Sequence, residues 1–279
     1  MPSRDDTSDL APLVGVIGGS GLYSLLEGTT VETLEMETPY GAPSSPVTVG
    51  ELNGTRVAFL TRHGERHTLP PHRVPYRANI WALAKLGARA IVSSSAVGSL
   101  SPRIPPGTFV IPDQLVDRTW GRDDTFFDGP EVQHLSFSDP YSASLRAAAT
   151  RALTSRGERV VGLATTVVVQ GPRFSTRAES RWYRGLGAHI VNMTQYPEAA
   201  LAAELNLGMV NLSFVTDSDA GDSEDEAVDP QIVLRRMAEA EPRIRAAIAA
   251  IVAAVPADYT PRARVSEQSV RRVLAGEPA

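Results

Sequence analysis

The alternation of apolar and polar positions along the chain predicts a succession of strands and helices. Leu13 to Ile17 is a short apolar run with β-branched residues, which predicts a buried strand. Val31 to Met36, Pro46 to Leu52 and Thr55 to Thr61 predict three more, the last two joined by a tight turn at Asn53-Gly54. Tyr76 to Leu86 has helical spacing at Ile80, Leu83 and Ala84, with Pro75 near the start and Gly87 at the stop. Arg89 to Ser95 predicts another buried strand, with Ser93, Ser94 and Ser95 at its end. Thr108 to Val116, Val160 to Val169 and Met209 to Val215 also predict strands. Ser142 to Ser155, Arg177 to Arg184, Pro197 to Leu205 and Pro230 to Val255 predict helices, the last with Pro242 placed to kink it. Between Asp117 and Pro140 periodicity fades and aromatics appear, as in a functional loop or an interface.

Strands alternating with helices after early hairpins predict an α/β fold: a single domain with a central mixed β-sheet flanked by helices. The expected organisation is a disordered arm over 1–11 and one domain over 12–279, whose tail after about Pro256 has no assigned structure. Composition narrows the function classes. The net charge of −5 gives no basic surface for nucleic acid or an anionic membrane. Cysteine is absent, which excludes thiol nucleophiles, disulfides and thiolate metal sites. No apolar run approaches the roughly 18 residues of a membrane span, and the polar, acidic start is unlike a signal peptide, so a soluble cytoplasmic protein is expected.

Polar chemistry collects where strands end. Gly18-Gly19-Ser20-Gly21 follows the first strand, where backbone N–H groups and the Ser20 hydroxyl suit an anion; glycines in a tight turn explain it equally well. Arg62-His63-Gly64 follows another strand and offers anion ligands, or else a salt-bridged surface arginine. Thr216-Asp217-Ser218-Asp219 follows the Met209 to Val215 run. Alternation places both carboxylates on one side if the strand continues; a solvated turn is the plainer alternative. In open α/β sheets ligands bind beyond the carboxyl ends of strands.

Taken in order, Val16 to Leu22, Thr38-Pro39-Tyr40-Gly41, Arg62-His63-Gly64, Ala78 to Leu83, Ala96 to Leu100, Gln170 to Ser175, Asn192-Met193-Thr194 and Thr216 to Asp219 form a set of motifs that covers about residues 13 to 235. The set resembles the trimeric nucleoside phosphorylases, and within them the methylthioadenosine phosphorylase branch. The resemblance implies phosphorolysis of S-methyl-5'-thioadenosine to adenine and 5-methylthioribose 1-phosphate, with inorganic phosphate as co-substrate and no metal or organic cofactor. It implies a phosphate site at Ser20, Arg62, His63, Ser95, Ser175 and Thr194, a ribose site at Ala96 and Met193 with Ala96 also counted among the phosphate-binding residues, and Asn192 among the substrate-binding residues. Phe174 falls against the base, and Asp217 and Asp219 fall at the purine ring as the catalytic pair. Pro230, Val233 and Leu234 fall in an apolar 5′ pocket, where Pro230 departs from the usual residue. His134 falls where a neighbouring subunit of a homotrimer reaches in. The sibling branch that takes 6-oxopurines tends to carry Asn at the base contact.

The chemistry is coherent without the resemblance. An arginine, a histidine and several hydroxyls suit a phosphate dianion, and a carboxylic acid suits protonation of a departing purine at N7. Phosphorolysis of 6-oxopurine nucleosides or methylthioinosine is the alternative within the same class. Arg62-His63-Gly64-Glu65 also matches the signature of histidine phosphatases, although that signature belongs after the first strand of its fold and several strands precede it here. A purine-binding protein without turnover is the third reading.

Overall fold

The computed structural model describes residues 13–22, 25–26, 30–220 and 229–277. The expected arm over 1–11 lies outside the described residues. Strands β1 (Leu13–Gly18), β2 (Glu32–Leu34), β3 (Val47–Leu52), β4 (Thr55–Thr61) and β5 (Ala88–Ser99) come first. They are followed by β6 (Phe109–Val110), β7 (Gln114–Arg118), β8 (Val160–Val161), β9 (Thr165–Val169), β10 (Ile190–Asn192) and β11 (Gly208–Asp217). The helices are α1 (Tyr76–Lys85), α2 (Ala143–Ser155), α3 (Arg177–Gly185), α4 (Gln195–Glu204), α5 (Pro230–Ala253) and α6 (Glu267–Ala275).

All these strands join one mixed sheet, as expected. Strand β5 is its hub: it pairs in parallel with β1 and β11, and its far end pairs antiparallel with β10. The edge β2-β3-β4 is antiparallel, and Asn53 and Gly54 both take positive φ in its turn, as a two-residue hairpin requires. Alternation along β1 shows how the sheet is covered. Leu13 and Ile17 pack with α1, α4 and α6 residues such as Leu83, Leu201 and Val273. Val14 and Val16 pack with Leu145 of α2 and Ile244, Ile248 and Ile251 of α5 on the opposite face. Both faces of the hub strands are therefore buried, which explains their nearly continuous apolar runs.

Several boundaries depart from the sequence-based expectation. The strand expected over 89–95 does not stop at its serines; β5 runs through them to Ser99 because β11 and then β10 supply ladder partners. The expected strand over 108–116 is two short strands with Pro112, which has no N–H to donate, between them. The expected strand over 160–169 divides near Gly162 into β8 and β9. Only Glu32–Leu34 of the 31–36 run pairs in the sheet. Helix α5 continues through Pro242. The unassigned tail forms α6, tied to α1 by the Trp81 indole N–H on the Val273 carbonyl at 2.9 Å and by Lys85 on the Leu274 carbonyl at 2.8 Å.

Candidate active site

The carboxyl ends of β1, β4, β5, β10 and β11 converge on a cavity of about 500 Å³, a size suited to a small-molecule ligand. Every site residue expected from the sequence lines it except His134, which lies exposed on the irregular 119–142 segment, outside the cavity of its own chain.

One pole is built for an oxyanion. The glycine loop after β1 lies hard against β5: a Cβ on Gly19 would fall 2.3 Å from the Ser94 carbonyl oxygen, so only glycine fits. The Gly19 N–H donates to the Ser94 hydroxyl at 2.9 Å. Arg62, at the end of β4, is not a surface arginine but fully buried. Its Nε and Nη2 grip both oxygens of Glu198 at 2.5 and 2.9 Å, and Nη1 donates to the Ser94 carbonyl at 2.7 Å. A guanidinium has five N–H donors, so two remain for a ligand, and its charge is compensated by Glu198. His63 Nδ1 lies 2.8 Å from the Leu69 carbonyl. A carbonyl only accepts, so Nδ1 carries the proton and Nε2 is left as the acceptor. Burial, and then the Arg62 charge, lower the His63 pKa to about 3, so the ring is neutral at pH 7.

Asn192, at the end of β10, uses its side-chain oxygen to receive the backbone N–H groups of Thr194 and Gln195, each at 2.7 Å. Its amide shapes the loop that presents Thr194 rather than standing free for a ligand. The Ser175 hydroxyl is buried beside the Asp219 carboxyl, and among the described residues it reaches no partner with full hydrogen-bond geometry.

The two carboxylates line the same cavity. The strand does not continue, so alternation does not align them: β11 ends at Asp217, and Asp219 has a φ of 51°, in the left-handed region. A tight turn does the work instead, with the Asp219 N–H donating to Asp217 Oδ1 at 2.8 Å. Room comes from Gly98, where a Cβ would meet Asp217 Oδ1 at 3.0 Å and Asp219 Cα at 3.1 Å. Asp217 Oδ2 accepts from the Thr216 hydroxyl at 2.7 Å, and Asp219 Oδ2 accepts from Ser180. Burial is the largest cause that raises both carboxyls, Asp217 to about 6. The third wall is apolar, from Val233 and Leu234 on the first turns of α5, with half-exposed Phe174 nearby.

Sequence reasoning missed Glu198. Its signal is a carboxylate in the otherwise apolar helix Pro197 to Ala203, a position that requires a buried cation. It also missed Glu204, which accepts from the Thr125 hydroxyl and the Phe126 N–H, both at 2.7 Å, and so anchors the 119–142 segment.

An oxyanion pole, a pair of protonatable carboxyls and an apolar wall around one cavity define a class of group-transfer enzyme, and comparison with known proteins identifies it. The sequence model of the phosphorylase superfamily matches residues 13–253, and the chain belongs to that family. It is 50% identical over 252 residues to a purine nucleoside phosphorylase of Streptomyces coelicolor, covering 88% of this chain and 89% of that one. It is 54% identical over 209 residues to an S-methyl-5'-thioadenosine phosphorylase of Mycolicibacterium smegmatis, covering 75% and 78%. In structure it matches a methylthioadenosine phosphorylase from Schistosoma mansoni solved with adenine, with a TM-score of 0.85, 31% identity and coverage of 95% and 97%.

Proposed function

We propose that the chain catalyses phosphorolysis of S-methyl-5'-thioadenosine to adenine and 5-methylthioribose 1-phosphate, with inorganic phosphate as co-substrate and no other cofactor. The observation that carries this reading is one cavity lined by three kinds of residue: anion donors, the Asp217 and Asp219 carboxyls, and the apolar Val233 and Leu234. Phosphate is held by Ser20, Ser95, Ser175 and Thr194 and by the two free N–H groups of Arg62, with the neutral His63 ring accepting from a protonated phosphate oxygen. A phosphate oxygen bonds to C1′ as the C1′–N9 bond breaks and its electron pair moves into the purine. Asp217 gives a proton to N7, and the proton that phosphate loses on becoming an ester makes up the balance. Asp219 accepts from the 6-amino group, Phe174 covers the base, and Ala96 and Met193 face the sugar. Asn192 supports that wall through the Thr194 loop.

The 50% identity to an enzyme named for purine nucleosides favours a second reading, turnover of purine nucleosides more broadly, the 6-oxopurine ones included. A substrate panel with phosphate separates the two: adenine released from methylthioadenosine much faster than hypoxanthine from methylthioinosine or inosine supports the first. The family assignment displaces the histidine-phosphatase reading. The working form is a homotrimer in the cytoplasm, with His134 completing a neighbour's site. Exposed Trp120, Val132 and Trp182 and the exposed position of His134 support that association. Among the described residues no helix is long and apolar enough to cross a membrane.

A further inference from the structure

Behind the phosphate pole lies a chain of buried amides and hydroxyls with one direction. Strands β5 and β11 pair in parallel with Asn211 opposite Ser93 and Ser213 opposite Ser95. The side chains of Asn211, Ser213 and Gln195 are fully buried. Tyr141 donates to Gln195 Oε1. Gln195 Nε2 donates to Asn211 Oδ1 and to Ser213 Oγ, both at 3.1 Å, and Ser213 Oγ donates to Asn211 Oδ1 at 2.7 Å. Asn211 Nδ2 then donates to Ser93 Oγ at 2.8 Å and to Ser95 Oγ at 3.0 Å.

An amide can be turned over, and the partners left in each direction decide the polarity. In the direction given, every acceptor of the chain is filled, and two hydroxyl hydrogens are left over, those of Ser93 and Ser95. Ser95 lines the cavity, so its hydrogen has somewhere to go. In the opposite direction Ser95 donates inward to Asn211, while the Tyr141 O–H and one Gln195 N–H are stranded in the interior with no other partner among the described residues. Two stranded interior donors, one of them an amide, cost more than one serine hydroxyl. A buried network settles on the polarity that satisfies the most members.

We infer that Asn211 is a positioning residue: by donating to Ser95 Oγ it commits the Ser95 hydroxyl to donate into the cavity, where only an acceptor-rich oxyanion can use it. Asn211 never touches the anion. It sets which way a contacting hydroxyl points, so that phosphate meets a donor already oriented. The inference rests on phosphate being the co-substrate.

The test is a double-mutant cycle on the full chain, read as phosphate KM at saturating methylthioadenosine, nucleoside KM at saturating phosphate, and thermal midpoint. Asn211→Asp offers Ser95 an acceptor of the same shape and turns its hydroxyl inward. Phosphate KM is expected to rise about ten- to a hundredfold, the loss of one hydrogen bond to a charged group, with nucleoside KM changed less than about threefold. The added charge acts equally with or without the Ser95 hydroxyl. In a Ser95→Ala background the same substitution should therefore raise phosphate KM far less, and that difference isolates the hydroxyl. Asn211→Leu, neutral and of similar size, carries the same cycle if the Asp variant does not fold. Penalties that add fully in the two backgrounds, or that fall equally on the nucleoside, overturn the inference. A wild-type enzyme that needs no phosphate overturns instead the functional reading beneath it.

Discussion

Replacing Asp217 with Asn separates the two consequences of burying this carboxyl. Burial raises Asp217 from its ordinary value of 3.8 to about 6. A shift of about two units corresponds to about 3 kcal/mol of cost for keeping it ionised in the folded chain. The folded pKa exceeds the unfolded one, so the native state binds more protons between about pH 4 and 6. The stability that Asp217 contributes is therefore present at low pH and lost as pH rises through about 6. Asparagine does not ionise and escapes that cost. The carboxylate accepts from the Thr216 hydroxyl and the Asp219 N–H, and an amide with one oxygen forfeits one of these at about 1 kcal/mol. Asp217→Asn should thus be more stable than the parent by about 2 kcal/mol at pH 8 and slightly less stable near pH 4. Denaturant melts of both proteins at the two pH values measure this; an equal difference at both would refute the assignment of the raised pKa. Activity should move the other way. Loss of a positioned acid costs about 10²–10⁴ in methylthioadenosine turnover and less for the inosine analogue, whose N7 and 6-oxo group suit an amide. In the parent, about a tenth of Asp217 is protonated at pH 7, so kcat/KM should fall tenfold per unit above about pH 6.

Arg62→Lys keeps the charge but loses the fork that holds Glu198, so phosphate KM should rise about tenfold or more with nucleoside KM little changed; equal effects on both would reject the phosphate assignment. Arg62→Ala strands the Glu198 carboxylate and should cost about 3–5 kcal/mol of stability, partly recovered by adding Glu198→Gln; no recovery in a melt would contradict the pairing. At the 5′ wall, one methyl-sized group discriminates by about 1–3 kcal/mol, so adenosine should react weakly and gain on methylthioadenosine in Leu234→Ser; equal turnover in the parent would contradict an apolar pocket. Sedimentation should give a trimer, with His134→Ala raising nucleoside KM while leaving assembly intact; an active monomer would sink the shared site.

The apolar runs revealed the strands and helices because both sheet faces are covered, so periodicity and run length marked the burial of β1, β5 and β11 directly. They did not mark where strands stop. Whether Ser95 lies within a strand depends on partners more than a hundred residues away in β11, which no local pattern records. The motifs located the cavity because its residues lie in the last residues of strands or just after them, where backbone geometry constrains residue type. Glu198 and Asn211 stayed hidden because each looks like one polar residue in an apolar element. Their meaning lies in what they face across the fold: the Arg62 guanidinium in one case, the Ser95 hydroxyl in the other. For the Asp217–Asp219 pair the sequence left strand and turn open, and it is the turn, left-handed at Asp219 and with space over Gly98, that holds the carboxyls together.

The most direct test of the central claim is base release by the purified protein from methylthioadenosine, followed with and without inorganic phosphate. Adenine should appear only when phosphate is present, with one phosphate consumed per adenine and hypoxanthine released far more slowly from methylthioinosine. Adenine release at the same rate without phosphate, or no release with it, would contradict the claim.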